Sequence, residues 1–249
     1  MWCAQPASPI SCPHPGDSQH NYYHNLCDFV NLFLSVYVAG QEHTPLEDIE
    51  IMYWEPERAG NPPTQPFATV VQALYQMFTP HPIRLMTEAV LYDKTLCFDH
   101  AVFAVKPRTI GTFFYNQYMP PGCIANSSDS FMRKFSDSAV AAVLGDAGFR
   151  QARQSRLRVT VLSRSAGTGY TSGTRKVLNE DSLLRAARTT FPFIDIRLEN
   201  FDWTAHVPFV EQLARIRETD VLIGMHGAGL AHTIFLHPWS SVIEVRARS

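Results

Sequence analysis

The feature that most constrains the fold is a regular alternation of strand-like and helix-like segments between residues 157 and 245. Short β-branched runs, typical of buried strands, alternate with segments whose apolar residues recur at helical spacing. The strands are predicted at 157–162, 194–198, 221–223 and 241–245, and the helices after the N-cap residue Asn179, from Pro208 through Ile216, and at 229–236. This order requires right-handed crossovers and a parallel sheet covered on both faces. The sequence therefore predicts a Rossmann-like layer that binds ligands at the carboxyl ends of its strands.

The first half of the chain shows a weaker version of the same pattern. Apolar spacing and β-branched runs predict two helices and two strands there. The helices are expected at 26–37 and 70–78, and the strands at 49–54 and 101–105. The composition changes near residue 145, so we expect an N-terminal α/β domain over residues 1–150 and a second domain over residues 151–249.

Composition excludes several classes of protein. The 249 residues are 45% hydrophobic, which is enough to bury a large core and argues against intrinsic disorder. A formal net charge of -2 offers no basic surface to a nucleic-acid backbone. The most apolar stretch, Leu26–Ala39, is too short to span a membrane and contains Asp28 and Asn31. The first residues lack the basic and apolar segments of a secretory signal.

The sharpest local motif is the glycine-rich segment Ile223–His232, where a predicted strand ends and a helix begins. Its glycines at 227 and 229 let a ligand approach the backbone, and the first amides of the helix, such as that of Ala228, have no partner within it. With His226, these amides would form a cradle for an anion, to which a helix dipole contributes roughly 0.3–2 kcal/mol. Ordinary close packing of a strand against a helix is the alternative interpretation.

Two other functions of a glycine-rich turn are disfavoured. A nicotinamide-binding fingerprint needs a third glycine where His232 stands, and an acidic residue farther along the chain than Glu244. A hydrolase needs a Gly-x-Ser-x-Gly elbow, which the sequence does not contain. The anion cradle is therefore the favoured function of this segment.

Charged residues follow other predicted strands of the second half. Arg164 follows the first of these strands and Glu244 lies within the last, so both are expected at the same sheet edge as His226. Arg175 and Lys176 lie in a loop near that edge. An arginine fork and helix amides suit a diphosphate, and a carboxylate on a neighbouring strand suits ribose hydroxyls. The alternative for Arg175 and Lys176 is that they are solvated loop charges.

A polar stripe interrupts the first apolar helix. His24 and Asp28 are four residues apart, which places an imidazole beside a carboxylate, and Asn31 and Ser35 continue the stripe. A carboxylate that orients an imidazole is the arrangement of a general base. The alternative is that His24 and Asp28 satisfy backbone groups at the start of the helix.

The cysteine and acidic patterns favour no metal site. The sequence has no Asp-x-Asp and no Cys-x-x-Cys, so we expect no metal and no cofactor. Cys97 and Cys123 would form a disulfide in an oxidising compartment, and buried free thiols are the equal alternative. The sequon at Asn126 would be glycosylated in a secretory lumen, although such triplets also occur by chance.

An ordered series of motifs resembles the signature of glycosyltransferase family 61. The resemblance extends over about residues 20 to 245, and the order of the motifs is more specific than any one of them. The matching segments are 22–24, 27–32, 97–98, 101–103, 114–116, 122–123, 159–165, 175–180, 223–232, 235–239 and 242–245.

The resemblance implies an inverting enzyme with two Rossmann-like layers (GT-B type). It implies transfer of N-acetylglucosamine from the donor UDP-GlcNAc to Ser or Thr hydroxyls of EGF-like repeats, in the lumen of the endoplasmic reticulum. Asp28 or His24 would take the acceptor proton. Arg164, His226 and the amides of Gly227–Gly229 would then stabilise the departing UDP.

Members of the family continue beyond the last strand, so we expect the C-terminal layer of this chain to be truncated at Ser249. The anion cradle does not recognise the acceptor, which leaves other functions within the family open. These are transfer to an O-mannosyl glycan or a polysaccharide, with UDP-xylose as a further donor. A nucleotide-sugar or glycan-binding module without activity is the alternative from another class.

Overall fold

The fold is described from a computed structural model. The structure describes residues 2–3, 22–53, 68–82, 84–85, 97–98, 100–103, 128–149, 155–164, 177–201 and 207–246. The chain divides into two compact units, Met1–Phe135 and Ser136–Ser249. The domain limits expected from the sequence, 1–150 and 151–249, stay a prediction.

The described part of the N-terminal unit contains helices and very short strands. Its elements are β1 (Trp2–Cys3), α1 (Tyr22–Val38), a 3₁₀ turn (Leu46–Asp48), β2 (Met52–Tyr53), α2 (Ala68–Tyr75), β3 (Arg84–Leu85), β4 (Cys97–Phe98) and the start of α3 (Ser128–Leu144). Strand β1 pairs antiparallel with β4, and β2 pairs parallel with β3. The two predicted helices of this half are confirmed.

Aromatic side chains form the core of this unit. Phe29 of α1 stacks on Phe78 with 6.5 Å between the ring centroids. One turn later, Phe33 lies 5.6 Å from both Phe131 and Phe135, measured between ring centroids. Contacts between aromatic rings at these distances add to the gain from burying their area. They explain why the apolar face of α1, which the helical spacing predicted, is buried.

A four-stranded parallel sheet forms the centre of the C-terminal unit. Its strands are β5 (Leu157–Leu162), β6 (Ile194–Glu199), β7 (Val221–Met225) and β8 (Ser241–Val245), and their order across the sheet is β6-β5-β7-β8. Helix α4 (Glu180–Thr190) connects β5 to β6, and α5 (Phe209–Arg217) connects β6 to β7. The predicted parallel α/β layer is confirmed, whereas the arrangement of two such layers stays a prediction.

Successive residues of the central strands pack on opposite faces of the sheet. Val159 and Val161 of β5 pack with Leu184 of α4 in one apolar cluster. Thr160, which lies between the two valines, is bridged to α5 by Arg197, whose guanidinium donates to the Thr160 hydroxyl and to the carbonyl of Arg215. This alternation follows from the two-residue period of a strand. Helices therefore cover both faces of β5, as expected for a buried parallel strand.

An ion pair fixes the amino ends of the two central strands. The guanidinium of Arg158 donates to both carboxylate oxygens of Asp220 at 3.0–3.1 Å, and the backbone N–H of Arg158 also donates to Asp220. Burial opposes ionisation of Asp220, but the hydrogen bonds from Arg158 outweigh it and hold the pKa of this carboxyl below its usual range. This contact sets the register at the end of the sheet opposite to the predicted ligand site.

Several local features differ from what the sequence predicted. Of the described residues in the strand predicted at 49–54, only Met52–Tyr53 form a strand. In the strand predicted at 101–105, the described residues 101–103 are exposed and form no strand. Asn179 occupies the N-cap position of α4, but its side chain makes no capping hydrogen bond. Helix α3 was not predicted, because Ser and Asp interrupt its apolar residues.

Among the described residues, no helix is long and apolar enough to cross a membrane.

Leu222 provides a test of the predicted core. Its side chain is fully buried in the central strand β7, so we expect Leu222→Ala to lower the free energy of unfolding by about 2–5 kcal/mol. Val242→Ala, on the exposed strand β8, is the matched control and should cost much less. Urea denaturation measures both variants. Equal losses would contradict this description of the sheet.

Candidate functional site

The carboxyl edge of the parallel sheet brings together residues that are distant in sequence. Arg164 follows β5, His226 follows β7 and Arg246 follows β8. The backbone N–H of His226 donates to the carbonyl of Val245 at 2.9 Å, so the strand pairing continues to this edge. Arg164, His226 and Glu244 are therefore at one edge of the sheet, where parallel α/β layers bind their ligands.

The guanidinium of Arg164 lies directly on the glycine-rich turn. Its Nη1 donates to the carbonyl oxygen of His226 at 3.1 Å. A β-carbon at Gly227 would lie only 2.5 Å from the same nitrogen, and the φ angle of Gly227 is 153°, which side chains disfavour. The backbone conformation therefore favours glycine at this position, and a β-carbon there would displace the flexible end of the Arg164 side chain.

The backbone of this turn presents unused hydrogen-bond donors. The first bond of the following helix runs from Leu230 N–H to the Gly227 carbonyl at 3.0 Å. The amides of Ala228 and Gly229 precede that bond and make no hydrogen bond to any residue that the structure describes. Neighbouring amide donors beside a guanidinium form a site that stabilises an anion such as a phosphate.

The helix after the turn differs from the prediction. An α-helix was expected at 229–236, but Ala228–Phe235 forms a 3₁₀ helix. The Gly229 carbonyl, which an α-helix would pair with the Thr233 N–H, instead contacts Nδ1 of His232 at 2.8 Å. A 3₁₀ helix has poorer hydrogen-bond geometry than an α-helix, so the helix dipole at this turn is weaker than the predicted α-helix would supply.

His226 and Glu244 form an acid–imidazole pair at the same edge. Nδ1 of His226 contacts Oε1 of Glu244 at 2.5 Å, and the His226 side chain is 57% exposed. Arg246 contacts the other oxygen of Glu244 through its Nε at 2.8 Å and a terminal nitrogen at 2.7 Å. The hydrogen bonds from His226 and then from Arg246 lower the pKa of the Glu244 carboxyl. The predicted contact of Glu244 with ribose stays a prediction.

Two residues of this site were missed by sequence reasoning. Arg246 follows the last strand directly, and that position was the available signal. His232 lies three residues after Gly229, and this helical spacing, which lets its ring reach the Gly229 carbonyl, was the available signal. Arg246 contacts the Glu244 carboxylate, and His232 contacts the carbonyl of Gly229 in the turn.

The N-terminal unit contains the predicted polar stripe. Asp28 is half-buried on α1, and burial raises the pKa of its carboxyl to about 7. The side chain of Asn31 is buried, and its polar atoms have no hydrogen-bond partner among the described residues. Ser35 donates to the Asn31 carbonyl at 2.7 Å. A carboxyl group with this pKa can exchange a proton near neutral pH.

Several predicted residues lie outside the described part of the structure. His24 falls within α1 and Cys97 within β4, but their side chains are not among those described. The other positions that fall outside it are Cys123, Asn126, Arg175 and Lys176. Their predicted roles stay predictions. Among the described residues, no group of three or more His, Cys, Asp or Glu side chains could hold a metal ion.

Comparison with known proteins decides the family. The sequence profile of the family Glycosyltransferase 61 matches residues 22–243. This chain belongs to glycosyltransferase family 61. It is 33% identical over 231 residues to the EGF domain-specific O-linked N-acetylglucosamine transferase of Drosophila melanogaster, and 34% identical over 233 residues to the protein of the same name from Mus musculus. The matches cover 92% of this family 61 chain and 39% of each relative.

Gly227→Ala tests the geometry of the turn. We expect a loss of about 1–3 kcal/mol in the free energy of unfolding, because alanine strains the backbone and overlaps the Arg164 guanidinium. Gly229→Ala is the control for stability, since a β-carbon there would meet no atom within 4 Å. Urea denaturation compares the two variants. Equal stability of the two proteins would contradict the backbone conformation described for Gly227.

Proposed function

We propose that this family 61 chain contributes the donor site of an inverting glycosyltransferase that acts on folded glycoprotein domains. The donor would be UDP-GlcNAc and the acceptor a Ser or Thr hydroxyl of an EGF-like repeat. The names of the two relatives support this choice of sugar and acceptor. The chain spans 39% of the length of those relatives, so the complete activity belongs to the proposal.

One observation carries the donor assignment. The Arg164 guanidinium lies against the turn whose Ala228 and Gly229 amides make no hydrogen bond to the described residues. These groups provide one cation and two backbone donors at the carboxyl edge of a parallel sheet. A diphosphate has the charge and the number of acceptor oxygens to use all of them.

The proposed chemistry separates two tasks. A base removes the proton of the acceptor hydroxyl, whose oxygen forms the new bond to the anomeric carbon while the bond to the diphosphate breaks. Arg164, His226 and the turn amides would stabilise the negative charge that develops on the departing UDP. Preorganised donors of this kind are worth roughly 2.7–4 kcal/mol each. Asp28 is the favoured base, and His24 is the other candidate.

The remaining features of the proposal follow from this chemistry. The charge of the leaving group is met by protein groups, so a divalent metal is not required. EGF-like repeats are disulfide-rich extracellular domains, which favours an oxidising lumen such as that of the endoplasmic reticulum. There the Cys97–Cys123 disulfide and glycosylation at Asn126 are also expected. The two-layer GT-B arrangement and donor contacts from Arg175 and Glu244 complete the proposal.

A transfer assay with several donors and acceptors tests the function. The 249-residue chain is incubated with radiolabelled UDP-GlcNAc or UDP-xylose and with a folded EGF-like repeat, an O-mannosyl peptide or a polysaccharide. We expect label from UDP-GlcNAc on the EGF-like repeat, with and without EDTA. Label on another acceptor would replace the proposed specificity. Binding of UDP-GlcNAc without transfer to any acceptor would indicate a binding module and contradict the proposed activity.

Arg164→Gln tests the donor contact. We expect transfer to fall by about 10²–10³-fold, because the guanidinium is a preorganised donor to the leaving diphosphate. Arg185→Gln is the matched control, since Arg185 is exposed on α4 and contacts only the nearby Ser182 hydroxyl among the described residues. Initial rates of transfer measure both variants. Similar rates for the two proteins would contradict the proposed contact between Arg164 and the donor diphosphate.

The pH dependence of transfer tests Asp28. A general base acts in its ionised form, so the rate should rise with pH through the raised Asp28 pKa of about 7. Asp28→Asn should lower the rate by about 10²–10⁴-fold and abolish this rise. Asp195→Asn, on the exposed side of β6, is the control. If the rate of Asp28→Asn still rises with pH in this range, a group other than Asp28 causes the rise, and the proposed role of Asp28 is contradicted.

A further inference from the structure

A buried histidine lies beneath the turn that carries the proposed donor-binding amides. The His232 side chain is 1% exposed, and the Phe201 ring covers it with 5.1 Å between ring centroids. Nδ1 lies 2.8 Å from the carbonyl oxygen of Gly229, and Nε2 lies 3.0 Å from Oε1 of Gln212. This ring has no access to a ligand, yet it contacts the backbone of the site directly.

Both nitrogens of the ring face acceptor oxygens, the Gly229 carbonyl at Nδ1 and Oε1 of Gln212 at Nε2. Burial lowers the pKa of His232 to about 4, although the bond to Gly229 opposes this, so the ring is neutral and donates from one nitrogen only. The Gly229 carbonyl offers no donor in any orientation, so its contact requires a hydrogen on Nδ1. A carboxamide offers both a donor and an acceptor. In the structure, Gln212 donates its amide N–H to the Val207 carbonyl at 2.7 Å and presents Oε1 to Nε2. Hydrogen on Nδ1 therefore requires the carboxamide to rotate, so that its N–H donates to Nε2 and its bond to Val207 is lost.

The bond from His232 fixes the position of the turn. Gly229 is one residue beyond Ala228, and the next residue, Leu230, is held by its own bond to the Gly227 carbonyl. The bond from Leu230 to Gly227 closes the turn around Ala228 and Gly229. The bond from His232 to Gly229 attaches the same segment to a buried ring. That ring is supported by Gln212 of α5, which is itself buried. A support of this kind keeps binding groups in place at no cost when a ligand arrives.

We propose that His232 is a positioning residue for the donor diphosphate. The Nδ1–H bond to the Gly229 carbonyl holds the turn so that the amides of Ala228 and Gly229 remain directed at the diphosphate oxygens. This inference rests on the proposed function, because it assigns the support of the same donor site. The role proposed for His232 is to position the turn, and it involves no proton transfer.

Two substitutions of His232 test which ring nitrogen supports UDP binding. Asparagine places its amide N–H near the position of Nδ1, and glutamine reaches toward that of Nε2. We expect His232→Asn to keep the bond to Gly229 and bind UDP within about threefold of the wild type, and His232→Gln to bind UDP about tenfold more weakly. Both variants lose the ring contact with Phe201, so each controls for the stability of the other. Isothermal titration with UDP measures the affinities, and equal weakening in both variants would overturn the proposal.

The wild-type protein provides a second measurement, which does not depend on how the variants fold. A ¹H–¹⁵N correlation spectrum of the histidine rings at neutral pH should show hydrogen on Nδ1 of His232 and none on Nε2. Hydrogen on Nε2 instead would overturn the positioning role by itself. Failure of the wild type to bind UDP would overturn the proposed function, and that outcome is distinct from a wrong tautomer.

Discussion

The candidate site depends on the contact between the Arg164 guanidinium and the backbone at His226 and Gly227. Two neighbouring parallel strands end at the same edge, which brings a side chain that follows β5 onto a turn that follows β7. A side chain at residue 227 would displace the Arg164 guanidinium from this contact. A positive charge is thereby held beside backbone amides that make no hydrogen bond to the described residues, and the proposed binding of a diphosphate rests on this pairing.

The rest of the C-terminal unit supports that contact from behind. Helices on both faces bury β5, and the Arg158–Asp220 pair fixes the opposite ends of β5 and β7. The buried ring of His232 connects the turn to α5. Arg164 is half-buried and His226 is exposed, whereas His232 and Gln212 beneath the turn are buried. Rigid support beneath exposed donors is what preorganisation of a binding site requires.

The sequence predicted most of this unit, because its elements follow simple periodic rules. The strands begin and end within about two residues of their predicted limits, and strand order alone placed Arg164, His226 and Glu244 at one edge. The 3₁₀ geometry after Gly227 was not predictable from periodicity, since it involves a side-chain contact with the Gly229 carbonyl. Helix α3 and the very short strands of the N-terminal unit depend on tertiary contacts that local spacing does not encode.

The most direct test of the central claim follows the backbone amides of the turn during a titration. In a ¹H–¹⁵N spectrum of the assigned protein, UDP should shift the amide signals of Ala228 and Gly229 and the side-chain signal of Arg164. Uridine, which lacks the diphosphate, should leave them unchanged at the same concentration. Shifts caused equally by uridine, or UDP-induced shifts confined to other residues, would contradict the claim that this turn and Arg164 bind a diphosphate.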